Sequence, residues 1–373
     1  MRGLPRGTVS GRDTPMTDHE RFFATMRYGA RDRAPFHEFP WPTWPETAER
    51  WSREGGYDPA ATGFGCDRWV LECQWFFPHP PFQRTVLEED QRYVTYVDAQ
   101  GIVLREFKKN PLSSMPQFLR FPVETRQDFR RFWRERMRPE PSERIGADWR
   151  EQLAQHRGRD YLLVVLADRW GGFFGPLRNL VGVERLCTLF YDDPAFVEEM
   201  MDADADFLIG MLGQMLEATD IDVFGFWEDM AYNAGPLVSP AMVRKFMLPR
   251  YRRVVDFGRR HGVHFFCLDT DGRMESLIPV FMDAGIDILY PFEVQAGMDV
   301  NSVRKKYGRD LRMWGGVDKR PLARGFREID AEIDRCRELI AGGGFVPMLD
   351  HSAPPDVPYA NYCYFMERLK KAL

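Results

Sequence analysis

Six apolar runs of strand length in this 373-residue chain each finish in an acid: Tyr161–Asp168, Asp220–Glu228, Val263–Asp269, Ile288–Glu293, Leu311–Asp318 and Phe345–Asp350. A carboxyl group at the end of a buried strand is partly desolvated, which raises its pKa and lets it hold or give a proton near neutral pH. Glu228 is the sharpest case, because it follows Phe224, Phe226 and Trp227 and is expected to point inward as those phenylalanines do. Asp269 and Asp271 alternate along one strand end and so share a face. His351 is the histidine at a strand end, and imidazole titrates where proton transfer is useful. Glu228, Asp269 and His351 are therefore the expected catalytic groups. Arg169 and Lys319 are expected to orient substrate carboxylates by charge-assisted hydrogen bonds. Asp168, Asp229, Asp271, Glu293, Asp318 and Asp350 complete the expected binding ring. The competing reading of every such pair is a local ion pair of little energetic weight.

Other constellations carry less. Gly171–Gly175 is a poor match to a phosphate loop. His264 and Cys267 stand three apart on a strand, which sends them to opposite faces and argues against joint metal ligation. Ser352 beside His351 lacks the GxSxG turn of a hydrolase nucleophile.

These residues need elements to hold them. After residue 160, strands alternate with helices whose punctuation is legible. Asp193-Pro194 and Ser239-Pro240 open two helices, Pro249 interrupts the second, and Gly285, Gly308 and Gly342 close three shorter ones. Strand and helix alternating without hairpin turns give a mostly parallel sheet. Acids at every strand end, rather than at one crevice, favour a (β/α)8 barrel over a doubly wound sheet. Ala34–Phe39 and a strand within Thr62–Cys73 would bring the count to eight. Residues 16–150 form an N-terminal elaboration with the first strands, a helix opened by the Thr17/Glu20 capping box, a β-hairpin over Thr85–Lys108 and an Arg-rich helix over 124–138. Residues 151–373 are the regular repeats of the same single domain, and residues 1–15 read as a disordered extension.

Composition sets outer limits. A net charge of −5 argues against a wholesale nucleic-acid binder, and no apolar run approaches the ~18 residues of a membrane span. Six cysteines without CxxC spacing read as reduced thiols, hence a cytoplasmic protein. The 29 Phe, 13 Tyr and 10 Trp exceed ordinary core needs, and seven of the tryptophans precede residue 150, as a cover over a pocket would require.

The segments ERFFATMRYGARDRAPF, SPAMVRKFMLPRY, DGRMESLIPVFMDAGIDILYPFEV, KKYGRDLRMWGGVDK and LDHSAPPDVPYANY, in order across residues 17–373, resemble the uroporphyrinogen decarboxylase superfamily. The resemblance implies a (β/α)8 barrel with its pocket at the strand ends. It also implies one of two chemistries: cofactor-free decarboxylation, in a branch that commonly dimerises, or zinc-dependent methyl transfer with a corrinoid protein. The chain departs from both patterns. The stretch after Pro35 reads FHEFPWPTWPE, without the arginines that grip carboxylates in the decarboxylase. The strand ends LDTDG and LDHS lack the cysteines of the methyltransferase zinc site. The expectation is thus an enzyme, a decarboxylase-like lyase on an organic acid or tetrapyrrole-like substrate, without a cofactor and distinct from the haem-pathway enzyme. Methyl transfer with a corrinoid partner and a divalent metal such as zinc is the first alternative, and a non-catalytic ligand-binding barrel the second.

Overall fold

The computed structural model describes residues 15–41, 43–55, 57, 64–109 and 115–373; apart from Pro15, the expected N-terminal extension lies outside them. Seven parallel strands make one curled sheet whose spatial order follows the chain: β1 (Trp69–Glu72), β2 (Leu162–Leu166), β3 (Val223–Trp227), β4 (Phe265–Asp269), β5 (Ile288–Tyr290), β6 (Arg312–Trp314) and β7 (Phe345–Val346). Each of the six acid-ended runs supplies one strand, and β1 falls within Thr62–Cys73. The curl brings inward rings from distant strands together: Trp69 of β1 lies 5.3 Å from Trp314 of β6, ring centre to ring centre.

The expected eighth strand does not join the ladder among the described residues, so the sheet is a curled seven-stranded one where a closed barrel was expected. Over Ala34–Phe39 the chain is extended, but its partner is largely a side chain. The Phe36 carbonyl accepts from the Asp67 N–H at 2.8 Å, while the Phe36 N–H donates to the Asp67 carboxylate at 3.2 Å. A carboxylate thus takes the place of the next ladder carbonyl.

Alternation along each strand sorts two apolar layers. Leu162, Val164, Leu166, Val223, Phe265, Cys267, Ile288, Tyr290, Trp314 and Val346 face the lumen. Val165, Phe224, Phe226, Phe266, Leu268, Leu289 and Phe345 face the helices. Helix α1 (Asp18–Met26), opened by the capping box of Thr17 and Glu20, inserts Phe22, Phe23 and Met26 into the lumen layer. Burying three such side chains is worth roughly 1.5–3 kcal/mol each. Outside the sheet run α2 (Gly175–Val181), α3 (Pro194–Ala218) and α4 (Leu248–Arg260). The α-helical pattern is interrupted as expected: a π-turn over Val243–Met247 precedes α4, and Pro249 stands in the first turn of α4, where its missing N–H is tolerated.

The expected hairpin is present, Tyr93–Val97 against Val103–Phe107 about the Asp98–Gly101 turn, and Thr85–Glu89 and Gln117–Arg120 extend it to a four-stranded antiparallel sheet. Its first run folds back because the Asp90 carboxylate accepts the N–H groups of Arg92 and Tyr93 at 2.6 and 2.7 Å. The turn at Asp98–Gly101 reaches the parallel sheet, where Trp170 Nε1 donates to Gln100 Oε1 at 3.1 Å.

Candidate active site

On β4 the inward positions are Phe265, Cys267 and Asp269, so the lumen ends in a carboxyl group where the strand ends. Asp269 is 5% exposed and is the register partner of Tyr290 on β5, whose hydroxyl acts to hold its pKa down. Burial, then the charges of Asp271 and Asp229, push its pKa well above the usual carboxylate range. Burial thus biases Asp269 toward its protonated form at the top of an apolar lumen. By the same alternation Asp168 follows Leu166 inward, and burial raises it as well. Asp229 is raised by burial against the pull of the Arg178 guanidinium, with which it pairs.

A second group meets the first through Asp271. His351 Nε2 stands 3.6 Å from Asp271 Oδ2. Burial alone would lower the imidazole pKa, but the interaction with Asp271 overrides it and the net shift is upward. Phe39 stacks on this imidazole and Trp44 meets it edge-on, at 5.4 and 5.8 Å, so the aromatic N-terminal elaboration does cover the mouth. Lys319 Nζ lies 3.5 Å from Asp350 Oδ1 and 3.6 Å from Glu293 Oε1. Burial moves Asp350 up to about 6 despite that ammonium. Glu293 Oε2 accepts the Gly272 N–H at 2.9 Å, and Asp350 Oδ2 accepts the Val294 N–H at 2.8 Å, tying the loops after β4, β5 and β7 together.

Three expected site residues stand elsewhere. Glu228 does go with Phe224 and Phe226, but these face the helices, so the expected inward direction is reversed. Glu228 is fully buried and accepts the N–H groups of Phe173, Phe174 and Gly175 at 2.7, 2.6 and 3.0 Å, as well as the Tyr251 hydroxyl. It anchors the start of α2. Burial raises it to about 7 against those hydrogen bonds. A Cβ on Gly172 would come within 2.7 Å of its Oε1, which is why glycine stands there. Asp318 is engaged by Arg320 at 2.7 Å; burial works to raise its pKa, yet the Arg320 hydrogen bonds hold it below the usual range. Arg169 has a side chain 58% exposed, 4.0 Å from Asp168.

Tyr290 and Arg178 belong to the mouth and escaped the sequence reading. Tyr290 alternates with Ile288 on the Ile288–Glu293 run, so strand periodicity places it on the same face. Backbone strain marks the same region. Of the four described non-glycine residues with positive φ, three lie just past strand ends: Arg169 (44°), Asp229 (41°) and Phe292 (61°). Such conformations cost energy and cluster where structure serves function.

This fold, with its acids gathered at the carboxyl ends of parallel strands, defines a class of α/β enzyme-like architecture. The sequence model of the uroporphyrinogen decarboxylase (URO-D) family matches residues 170–372, more than half of the chain. The protein belongs to that family. Among solved structures it is similar to a methyltransferase from Methanosarcina mazei, with 18% identity, TM-score 0.62, and coverage of 96% of this chain and 98% of that one. A B12-independent methionine synthase from Shewanella sp. W3-18-1 matches at 13% identity and TM-score 0.37, over 78% of this chain and 75% of that one. No curated protein sequence matches.

The zinc site implied for the methyltransferase branch does not fit these residues. Among the described residues no three or more His, Cys, Asp or Glu side chains form a group able to hold a metal ion. Cys267, the lumen cysteine beneath Asp269, is buried among apolar lumen side chains. Among the described residues no helix is long and apolar enough to cross a membrane.

Proposed function

We propose that the protein is a proton-transfer enzyme of the URO-D family, with Asp269 as general acid, acting as a decarboxylase-like lyase on a small organic acid. The observation that carries this reading is the inward, buried carboxyl of Asp269 above an apolar lumen. When a carbon–carboxylate bond breaks, the electron pair stays on carbon and needs a proton; Asp269 supplies it at that carbon, and carbon dioxide leaves. The apolar lumen disfavours the substrate's charged carboxylate more than the charge-dispersed transition state. Asp271, whose charge acts on both Asp269 and His351, links the acid to an imidazolium that restores the proton. Lys319 holds Glu293 and Asp350 in place rather than gripping substrate.

That last point favours a second reading. Lys319 and Arg178 are already paired, so a substrate without a carboxylate suits the mouth as well. Methyl transfer to a corrinoid acceptor, with Asp269 protonating the departing group, is then the competing chemistry.

The test incubates the purified protein with uroporphyrinogen III and a panel of aromatic and pyrrole monocarboxylates, measuring carbon dioxide release. In parallel it is incubated with aryl methyl ethers and cob(I)alamin, following methylcobalamin absorbance. Carbon dioxide release lost in Asp269→Asn supports the lyase; methylcobalamin lost in the same variant moves the assignment to methyl transfer. Turnover indifferent to Asp269→Asn overturns both.

A further inference from the structure

At the end of the sheet opposite the acids, α1 and the residue before β4 flank an open groove of about 420 Å³, within the roughly 300–1,000 Å³ usual for small-molecule sites. A strand rises about 3.3 Å per residue, so His264 at this groove stands roughly 17 Å from Asp269 at the other end of β4. Phe23 forms the floor, and three polar side chains gather on its ring. The His19 imidazole stacks on it at 4.4 Å, the His264 imidazole meets it edge-on at 5.0 Å, and the Arg27 guanidinium lies over it at 4.8 Å. Met16, Ala24 and Ala30 add apolar wall. The charges here are unequally matched. Asp222, behind His19, already accepts from His19 Nε2, Arg159 Nη2 and the Leu163 N–H at 3.0, 2.6 and 2.8 Å. Glu20, the acid of the lining, accepts the Thr17 N–H at 3.0 Å in the capping box. Arg27 is exposed and meets no carboxylate among the described residues. A cation at the C-terminal cap of α1 is favourable in itself, but that leaves its side-chain N–H donors without a partner among those residues.

We infer that this groove binds a medium-chain carboxylate, with its anionic head on Arg27 and its hydrocarbon chain along Phe23, Met16, Ala24 and Ala30. An apolar trough with one unmatched guanidinium is complementary to an amphiphilic anion. The guanidinium fork holds a carboxylate through paired, charge-assisted N–H donors, and each methylene withdrawn from water adds to binding. His264, exposed and without a side-chain hydrogen bond among the described residues, offers a further ring N–H beside the same phenylalanine. A cationic ligand is unsuited, because Glu20 and Asp222 are engaged and Arg27 would repel it. A polyanion is unsuited too, because the lining supplies no second cation of fixed charge. The inference does not rest on the chemistry proposed for the strand ends.

The test titrates butyrate, hexanoate, octanoate and uncharged octanamide into the full chain and reads Kd by ligand-observed NMR. Affinity is expected to rise along the acids by up to about fourfold per methylene, and octanoate to bind roughly fivefold tighter than octanamide. Arg27→Gln is expected to abolish the preference for octanoate while leaving octanamide binding unchanged. Ala24→Leu fills the groove and is expected to weaken both ligands. Thermal melts of the two variants establish that they fold. Absence of binding, or equal affinity of the wild type for octanoate and octanamide, overturns the inference; so does a preference that survives Arg27→Gln. Octanoate binding indifferent to Ala24→Leu means capture at another surface, the mouth included, and overturns it as well. Binding is read without turnover, so failure here leaves the proton-transfer reading standing, and failure of that reading leaves the groove standing.

Discussion

Lys319 shows how the mouth is balanced at the level of single residues. The residue is 7% exposed, and its ammonium serves two carboxylates at once, Asp350 and Glu293. Lys319→Met keeps the stem and removes the charge. Breaking a buried pair by deleting one partner typically costs about 3–5 kcal/mol, so this variant is expected to lose that order of stability in urea titration. Asp350, already at about 6, should move further up. An unchanged unfolding midpoint would mean that solvent, not Lys319, compensates the two acids. Glu228 makes the contrasting case. Its four hydrogen bonds go to a helix start and a tyrosine rather than to the lumen, so Glu228→Gln is expected to lower thermal stability through α2, the amide having fewer acceptor sites for three N–H donors. Loss of turnover with full stability in that variant would restore it as a catalytic group.

The elements explain why some of this was legible in the sequence and some was not. Strand alternation is strictly periodic, so Asp269 and Asp271 sharing a face, and Glu228 sharing one with Phe224 and Phe226, could be read directly. Which face is the lumen could not, because strands of a parallel sheet are apolar on both sides; that ambiguity is what reversed Glu228. Ala34–Phe39 has strand composition, yet Asp67, more than thirty residues away, decides its pairing through a side chain. The Arg-rich helix was legible as a solvated face: Arg126 and Arg130 pair with Asp193 and Glu199 on the surface. Helix α3 carries a feature no periodicity reveals. Asp204 is fully buried, neither carboxyl oxygen has a hydrogen-bond partner, and burial followed by the Glu228 charge raises its pKa well above the usual range. Asp204→Ala removes this orphan acid and improves helix propensity, and is expected to stabilise the fold by about 1 kcal/mol. A destabilised variant in chemical denaturation would show that Asp204 has a partner worth keeping.

Across the whole molecule, several buried acids hold protons that the unfolded chain would release. Glu228 at about 7 and Asp350 at about 6, with Asp269 and Asp204 shifted in the same direction, bind more protons folded than unfolded. Their stabilising contribution is complete below the ordinary carboxylate value and is lost as pH rises through the folded values. His37, with its pKa lowered to about 4, and the smaller downward shifts of His156 and His264 act oppositely, costing stability as pH falls below the ordinary imidazole value. The four acids outweigh them, so Tm is expected to be higher at pH 5.5 than at pH 7.5. A Tm that climbs across that interval would mean these acids are ionised in the fold.

The central claim, that Asp269 is a neutral acid at working pH, has a direct test in ¹³C NMR of protein labelled at the aspartate side-chain carboxyl. The Asp269 signal is assigned by its absence from Asp269→Asn. The account predicts a resonance at the protonated position that does not move between pH 5 and pH 7. A signal that titrates near the ordinary aspartate value, and is ionised by pH 6, would contradict it.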